Sequence, residues 1–269
     1  MGHVVKEEYF SGQGVVMIAT RDANGNPQGF RPLGNCPAVA IKNATTTLEH
    51  KEATTGQRGT DKRLTTEVKV GIEITLENYN AANVAMVTRG TKTEKTAGSV
   101  TGEAVTAYPG LVTSLAHMKV STVVVKQGVT TLTAFVDEAT PWDYKLNAEA
   151  GSLLFNTATG LDASGPADNI TYTLGVADDI TVDYAYAKQV EVDAFTSGNV
   201  EYYLRFEGLN TAEQDSPVVV EVFKFSVDPT QDFSMISDQI QSFVLQGSVL
   251  KDSLRATGSQ YYKVTKIDV

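Results

Sequence analysis

"TEVKVGIEITLE", residues 66–77, alternates apolar and polar side chains along almost its whole length. Val68, Val70, Ile72, Ile74 and Leu76 form one face, and Glu67, Lys69, Glu73, Thr75 and Glu77 form the other. A period of two is the signature of a β-strand with one face on a core and one face in water or on a partner. Upstream, "AVAIKNATTT" at 38–47 reads as a second strand. Between the two lies "LEHKEATTGQRGTDKR", residues 48–63. Antiparallel neighbours need only two to five residues to turn, so this stretch is expected to be a long exposed arm.

Working outward, "GVVMIATR" (14–21) reads as a strand that ends in the turn cluster "DANGNPQG" (22–29). "NYNAANVAMVTRG" (78–90) is the best helix, with Asn78 or Asn80 as N-cap and Gly90 as the stop. Short strands separated by Gly, Asn and Asp turns fill the middle, and "GLDASGPADN" (160–169) reads as a loop there. "VEYYLRFEG" (200–208), "PVVVEVFKFSV" (217–227) and "SFVLQGSVL" (242–250) return to longer strands. "DPTQDFSMISDQI" (228–240) is expected to hold a short helix after Pro229. The fold class is therefore mainly β: an antiparallel sandwich with one short flanking helix and an inserted small β-domain. The expected division is 1–100, 101–196 and 197–269.

Composition narrows the function. The chain of 269 residues carries 22 Lys+Arg against 32 Asp+Glu, a net charge of −10. The acidity is uneven: 12 basic and 10 acidic residues in 1–100, 4 and 12 in 101–200, and 6 and 10 in 201–269. No stretch is basic enough to hold nucleic acid by counterion release. No apolar run is long enough to span a membrane, and "MGHVVKEEYF" does not read as a secretory signal. Cys36 is the only cysteine, which excludes an internal disulfide and a thiolate metal cluster.

The chemistry-bearing residues do not assemble into a catalytic pattern. His3, His50 and His117 have no ligand spacing, and "GQG" at 12–14 precedes a strand instead of linking a strand to a helix. "DANGNPQG" starts like a calcium loop, but Pro27 stands where glycine is required and Leu33 where the bidentate glutamate belongs. Asp178 and Asp179 are adjacent, so a strand would turn them to opposite faces. Trp142 reads as a packing anchor. No enzyme activity, cofactor or metal is expected.

Four stretches carry a resemblance: "FSGQGVVMIATRDANGNPQGFRPLGNCPAVAI" (10–41), "TLEHKEATTGQR" with the following "DKR", "ITLENYNAANVAMVTRG" (74–90) and "YYLRFEGLNTAEQDSPVVVEVFKFSVDPTQDFS" (202–234). In order and combination they resemble the major tail tube protein of long-tailed, siphovirus-type bacteriophages, over about 8–90 and 200–252. That resemblance implies a virion protein assembled in the host cytoplasm. Six copies would close into a ring, with inner sheets joined edge to edge, and rings would stack into a hollow tube that delivers DNA. Its partners would be other copies of itself, a tape-measure protein, and tail tip and tail terminator proteins. DNA would pass through without specific binding. The tube wall is expected to be lined by Glu67, Lys69, Glu73 and Thr75, with Ser242, Gln246 and Ser248 on a partner strand. Lys51, Glu52, Arg58, Asp61, Lys62 and Arg63 of the arm are expected to make inter-ring or inter-subunit contacts. The alternatives are a virion-decorating or cell-surface β-domain that acts as a binding module, or a hydrolase of unrecognised type.

Overall fold

A computed structural model describes residues 7–108, 110–137, 139–140, 142–156 and 178–267. The expected loop at 160–169 lies outside these residues, as does His3. The described chain is mainly β, with antiparallel sheets and one short helix, a sandwich-type fold. It divides into two units: Met1–Lys92 with Val192–Val269, and Thr93–Glu191. The inserted unit thus spans 93–191 where the shift in composition pointed to 101–196.

The first unit contains β1 (Gly12–Thr20), β2 (Arg31–Pro32), β3 (Ala38–Lys51), β4 (Thr60–Leu76) and α1 (Ala81–Val87). After β5 (Thr91–Lys95) the second unit contributes β6 (Gly98–Ala107), β7 (Val112–Ser114), β8 (Val120–Gln127), β9 (Thr130–Thr131), β10 (Tyr144–Asn147), β11 (Ser152–Phe155) and β12 (Asp178–Tyr186). β13 (Gln189–Asp193) pairs with β5 in a two-stranded ribbon, and the first unit resumes with β14 (Glu201–Asn210), β15 (Ser216–Asp228), β16 (Phe243–Val249) and β17 (Tyr262–Lys266).

The eight-stranded sheet of the first unit runs β2-β1-β14-β15-β16-β4-β3, with β17 also paired to β15. Val16 and Ile18 of β1, at one end of that order, share a single core with Ile72, Ile74 and Leu76 of β4, near the other end. The sheet therefore curls until its two ends face each other, and the alternating apolar faces close against one another. Phe225 of β15 and Leu245 of β16 fill the centre with no exposed surface.

The helix plugs one side of this core. Asn80 caps it by accepting from the Asn83 N–H at 2.8 Å, and Met86 and Val87 point inward. Asn83 is fully buried: its Nδ2 donates to the carbonyls of Leu33 and Asn78, and its Oδ1 accepts from Arg31 Nη1 at 2.6 Å. Every polar atom of that side chain thus has a partner, as burial demands. The helix is shorter than the expected 78–90. Arg89 turns to φ 47° and gives Nε and Nη2 to the Val227 carbonyl, which ends it before Gly90. The helix expected after Pro229 is absent: residues 229–242 form bends, and Thr230 N–H donates to the Val87 carbonyl.

Three further features settle the smaller motifs. Asp22 accepts from the backbone N–H of Asn24 and Asn26, so "DANGNPQG" is a tight turn closed on its own carboxylate. In the second unit, Val125, Leu153, Phe155, Ile180 and Val182 form a separate core. Trp142 there meets Phe135 edge-on at 5.5 Å, and Lys145 Nζ lies over both rings.

Candidate assembly surface

The structure corrects the reading of 48–63. Half of it is strand, at 48–51 and 60–63. β3 runs on to Lys51 and β4 begins at Thr60, with Leu48 opposite Leu64, Glu49 opposite Arg63 and His50 opposite Lys62. Only residues 52–59 turn the chain. The run "TTTLEHK" and its partner "TDKRLTT" are rich in β-branched threonine, which fits a pleated ladder, and pairing with each other removes the need for a core. From Val70, the first buried residue of β4, back to Thr60 the hairpin projects about 30 Å.

Two irregularities shape this arm. Thr46 faces Glu67 while Thr47 faces Thr65, so Thr66 is the extra residue of a β-bulge, and Asp61 is extra in the same way near the tip. Alternation in β4 shifts by one at Thr66. Leu64 and Leu48 therefore lie on the face that carries Glu67, Lys69 and Glu73 in the body, and they are 47% and 58% exposed. Val68, expected on the core, is also exposed, because the core ends at Val70.

The expected wall residues do share a face. β16 lies beside β4 with Gln246 opposite Glu73 and Ser248 opposite Gly71. Gln246 Nε2 donates to Glu73 Oε2 at 3.3 Å, and Lys42 Nζ from β3 reaches the same oxygen. Lys69 Nζ pairs with Glu67 Oε2 at 3.1 Å, which also accepts from Thr46 Oγ1. Each anion on this face has a cation or hydroxyl beside it, so the face has little net pull on a charged strand. Glu67, Lys69, Gln246 and Ser248 are exposed; Glu73 and Thr75 are half-buried. Ser242 is exposed but precedes β16, and Val244 stands opposite Thr75 as an apolar break in the polar row.

The arm's charged residues are less available than their sequence suggests. His50 Nδ1 lies 2.6 Å from Asp61 Oδ1. Glu52 accepts from the hydroxyls and N–H groups of Thr54 and Thr55, which brings its carboxyl down to about 2, with the Thr55 hydroxyl the largest cause. Those two anions hold the turn together. Lys51, Arg58, Lys62 and Arg63 are exposed.

At the base of the hairpin lies a feature that periodicity did not signal. Between the β1 edge and the β3 edge the curled sheet stays open, leaving an apolar cleft of about 670 Å³ walled by Phe10, Val39, Ile41, Phe206 and Val220. The glycines of "GQG" make its floor. Gly14 faces Gly208, and a Cβ on Gly14 would sit 2.2 Å from the Glu207 carbonyl oxygen. The rings of Phe10 and Phe206 lie over Gly12 and Gly208, where a side chain would collide with them. Cys36 also lines the cleft; burial first, then the Glu77 charge, pushes its thiol up to about 11. The signal in the sequence was the glycine pair itself, since glycine inside a strand marks a close approach of backbone or ligand.

Among the described residues no group of acidic, histidine and cysteine side chains is arranged to hold a metal, and no helix is long and apolar enough to cross a membrane. No curated protein matches the sequence. A family model does, over residues 9–265, and by that match the chain belongs to the family described as "Protein of unknown function UCP028589".

Proposed function

We propose that this chain is the repeating subunit of a hollow tube of the phage tail type, closing into six-membered rings that stack to form a conduit for DNA. The observation that carries the reading is the β3–β4 hairpin. β3 ends the sheet, is 14 residues long and is exposed on both faces along most of its length. Monomeric proteins shorten, cover or charge such edges, because an unpaired edge recruits another strand. Here, within the part that borders the body, Lys42 is the only charged side chain. A two-stranded ribbon is also marginal alone in water, so an arm of this length calls for a surface to rest on.

The resemblance to tail tube proteins falls on 8–90 and 200–252, which lie in the first unit. In this reading β3 pairs with the sheet of a neighbouring copy. The face carrying Glu67, Lys69, Glu73, Thr75, Gln246 and Ser248 then looks into the channel. Its internally neutralised charges let a polyanion slide past. The arm reaches the next subunit or ring, and tail tip, terminator and tape-measure proteins of the virion meet the tube at its ends and in its bore.

The test is direct. Purified chain examined by negative-stain microscopy and sedimentation, over a rising concentration series, should give rings or tubes with a central hole. A discrete small species throughout that series would overturn the reading and favour a decorating or binding module.

A further inference from the structure

Resting on the self-assembly reading, we infer that the tip of the β3–β4 hairpin docks through Leu48 and Leu64 into the apolar cleft of a second copy, with Cys36 at the contact. Two acidic side chains of the arm are engaged within it: His50 holds Asp61, and Thr54 and Thr55 hold Glu52. What the arm offers a partner is a cross-strand pair of exposed leucines on a ribbon with no second layer.

The cleft is the matching surface. Its walls are two phenylalanines and three aliphatic residues, and the backbone of Gly12 and Gly14 runs between them. Charge agrees across the contact. Glu77 accepts from Asn35 and acts on Cys36, while Glu213 and Glu7 accept from the N–H and hydroxyl of Tyr9, next to Phe10. These carboxylates neighbour the lining residues Asn35, Cys36 and Phe10, and the tip carries Lys51, Arg58, Lys62 and Arg63 against Glu49, Glu52 and Asp61, with Lys62 on the leucines' own face.

The occupant is a second copy because the same copy is excluded. Ile41 of the cleft and Leu48 of the tip lie on one paired strand, seven residues and about 23 Å apart. A ladder cannot fold back over that span. Each copy thus carries one donor and one acceptor on different surfaces, a heterologous contact that propagates into rings or filaments instead of stopping at a dimer.

The native thiol provides the test. Leu48→Cys and Leu64→Cys, made singly in the otherwise unchanged full chain, each place one thiol at the tip and leave Cys36 in the cleft. With a short thiol–thiol crosslinker at alkaline pH and long exposure, which the raised Cys36 thiol requires, and at concentrations where the wild type assembles, these variants should give a covalent ladder of dimers, trimers and higher species on a denaturing gel. Adding Cys36→Ser should remove it. Separately, Leu48→Asp with Leu64→Asp should raise the concentration needed for assembly at least tenfold with unchanged circular dichroism. Tubes in the micrographs with no ladder from either variant would overturn the docking while leaving self-assembly standing. Dimers that persist with Cys36→Ser would mean that tips meet tips, and would overturn it too. Absence of both tubes and ladder would overturn both readings.

Discussion

β4 is one continuous strand in two environments. From Val70 to Leu76 every second residue is buried, whereas from Thr60 to Lys69 every residue is exposed. Both stretches are paired to β3 throughout. The difference is the second layer: the C-terminal half has β16 beside it and β1 and β14 across the core, and the N-terminal half has only β3. Pairing and propensity are enough to make a strand, but burial requires something to be buried against. Stability should therefore reside in the body, and the arm should matter only when a second copy is present.

The sharpest way to break that comparison is to remove one member of an ion pair from each region. In the body, Arg21 Nη2 donates to Asp252 Oδ2 at 2.7 Å, with side chains only 8% and 5% exposed, and this contact ties the end of β1 to the segment after β16. Asp252→Ala leaves the buried guanidinium only the longer contact to Glu201, at 3.6 Å, and should cost about 3 kcal/mol in urea unfolding. In the arm, Asp61→Ala removes a carboxylate from an exposed histidine, and such surface pairs contribute about 0–1 kcal/mol. Equal losses from both would show that the arm is part of the cooperative unit.

A second contrast uses apolar truncation within β4 itself. Ile74 is fully buried, so Ile74→Ala should destabilise by about 2–5 kcal/mol through lost transfer energy and the cavity left behind. Leu64→Ala should stay within about 0.5 kcal/mol for the monomer, because no core closes over it. Thermal melts of the two variants below the assembly concentration decide the point.

How far these properties were legible depends on which of them are periodic. The two-residue alternation of 66–77 gave the strand, its face and its antiparallel setting, and of the two caps on offer, Asn78 and Asn80, the second starts the helix. The same alternation overran at Val68, since periodicity reports orientation and says nothing of where the opposite layer stops. The arm was mistaken for a loop because its threonines and charges look polar and flexible in isolation, while cross-strand pairing is a property of two segments together. The bulge at Thr66, which sets the leucines on one face, has no local signature. Nor has the cleft, which forms only when β1 and β3, distant in the sheet order, curl to face each other. Glycines at 12 and 14 marked the place without naming its use.

Charge reversal at the tip sharpens the comparison in the assembled state. Arg58, Lys62 and Arg63 are exposed, and replacing all three with glutamate gives the arm three more anions to present to Glu77, Glu213 and Glu7 of a neighbour. The monomer should keep its circular dichroism and unfolding midpoint, while polymers disappear at physiological salt. Since the penalty is repulsion between partly exposed charges, raising the ionic strength should restore some assembly. Long tubes at physiological salt from the triple variant would show that the arm does not join copies.

The smallest expected effect is confined to the turn. Glu52 is half-buried in the turn, and the hydroxyls and N–H groups of Thr55 and Thr54 bring its carboxyl from the usual 4.5 down to about 2. Because the folded value lies below the unfolded one, the contribution of these bonds is complete above about pH 4.5 and fades as the pH falls toward 2. Acid titration followed by nuclear magnetic resonance should show the Glu52 carboxyl changing near 2, with the amide signals of Thr54 and Thr55 moving at the same midpoint. Amides of the body, such as Ile74, should not report that step. Glu52→Gln should abolish it and leave the global unfolding midpoint unchanged, because the turn closes an arm that lies outside the core. A Glu52 midpoint near 4.5 would mean that the tip is not held by its own threonines and is free to reshape on meeting a partner.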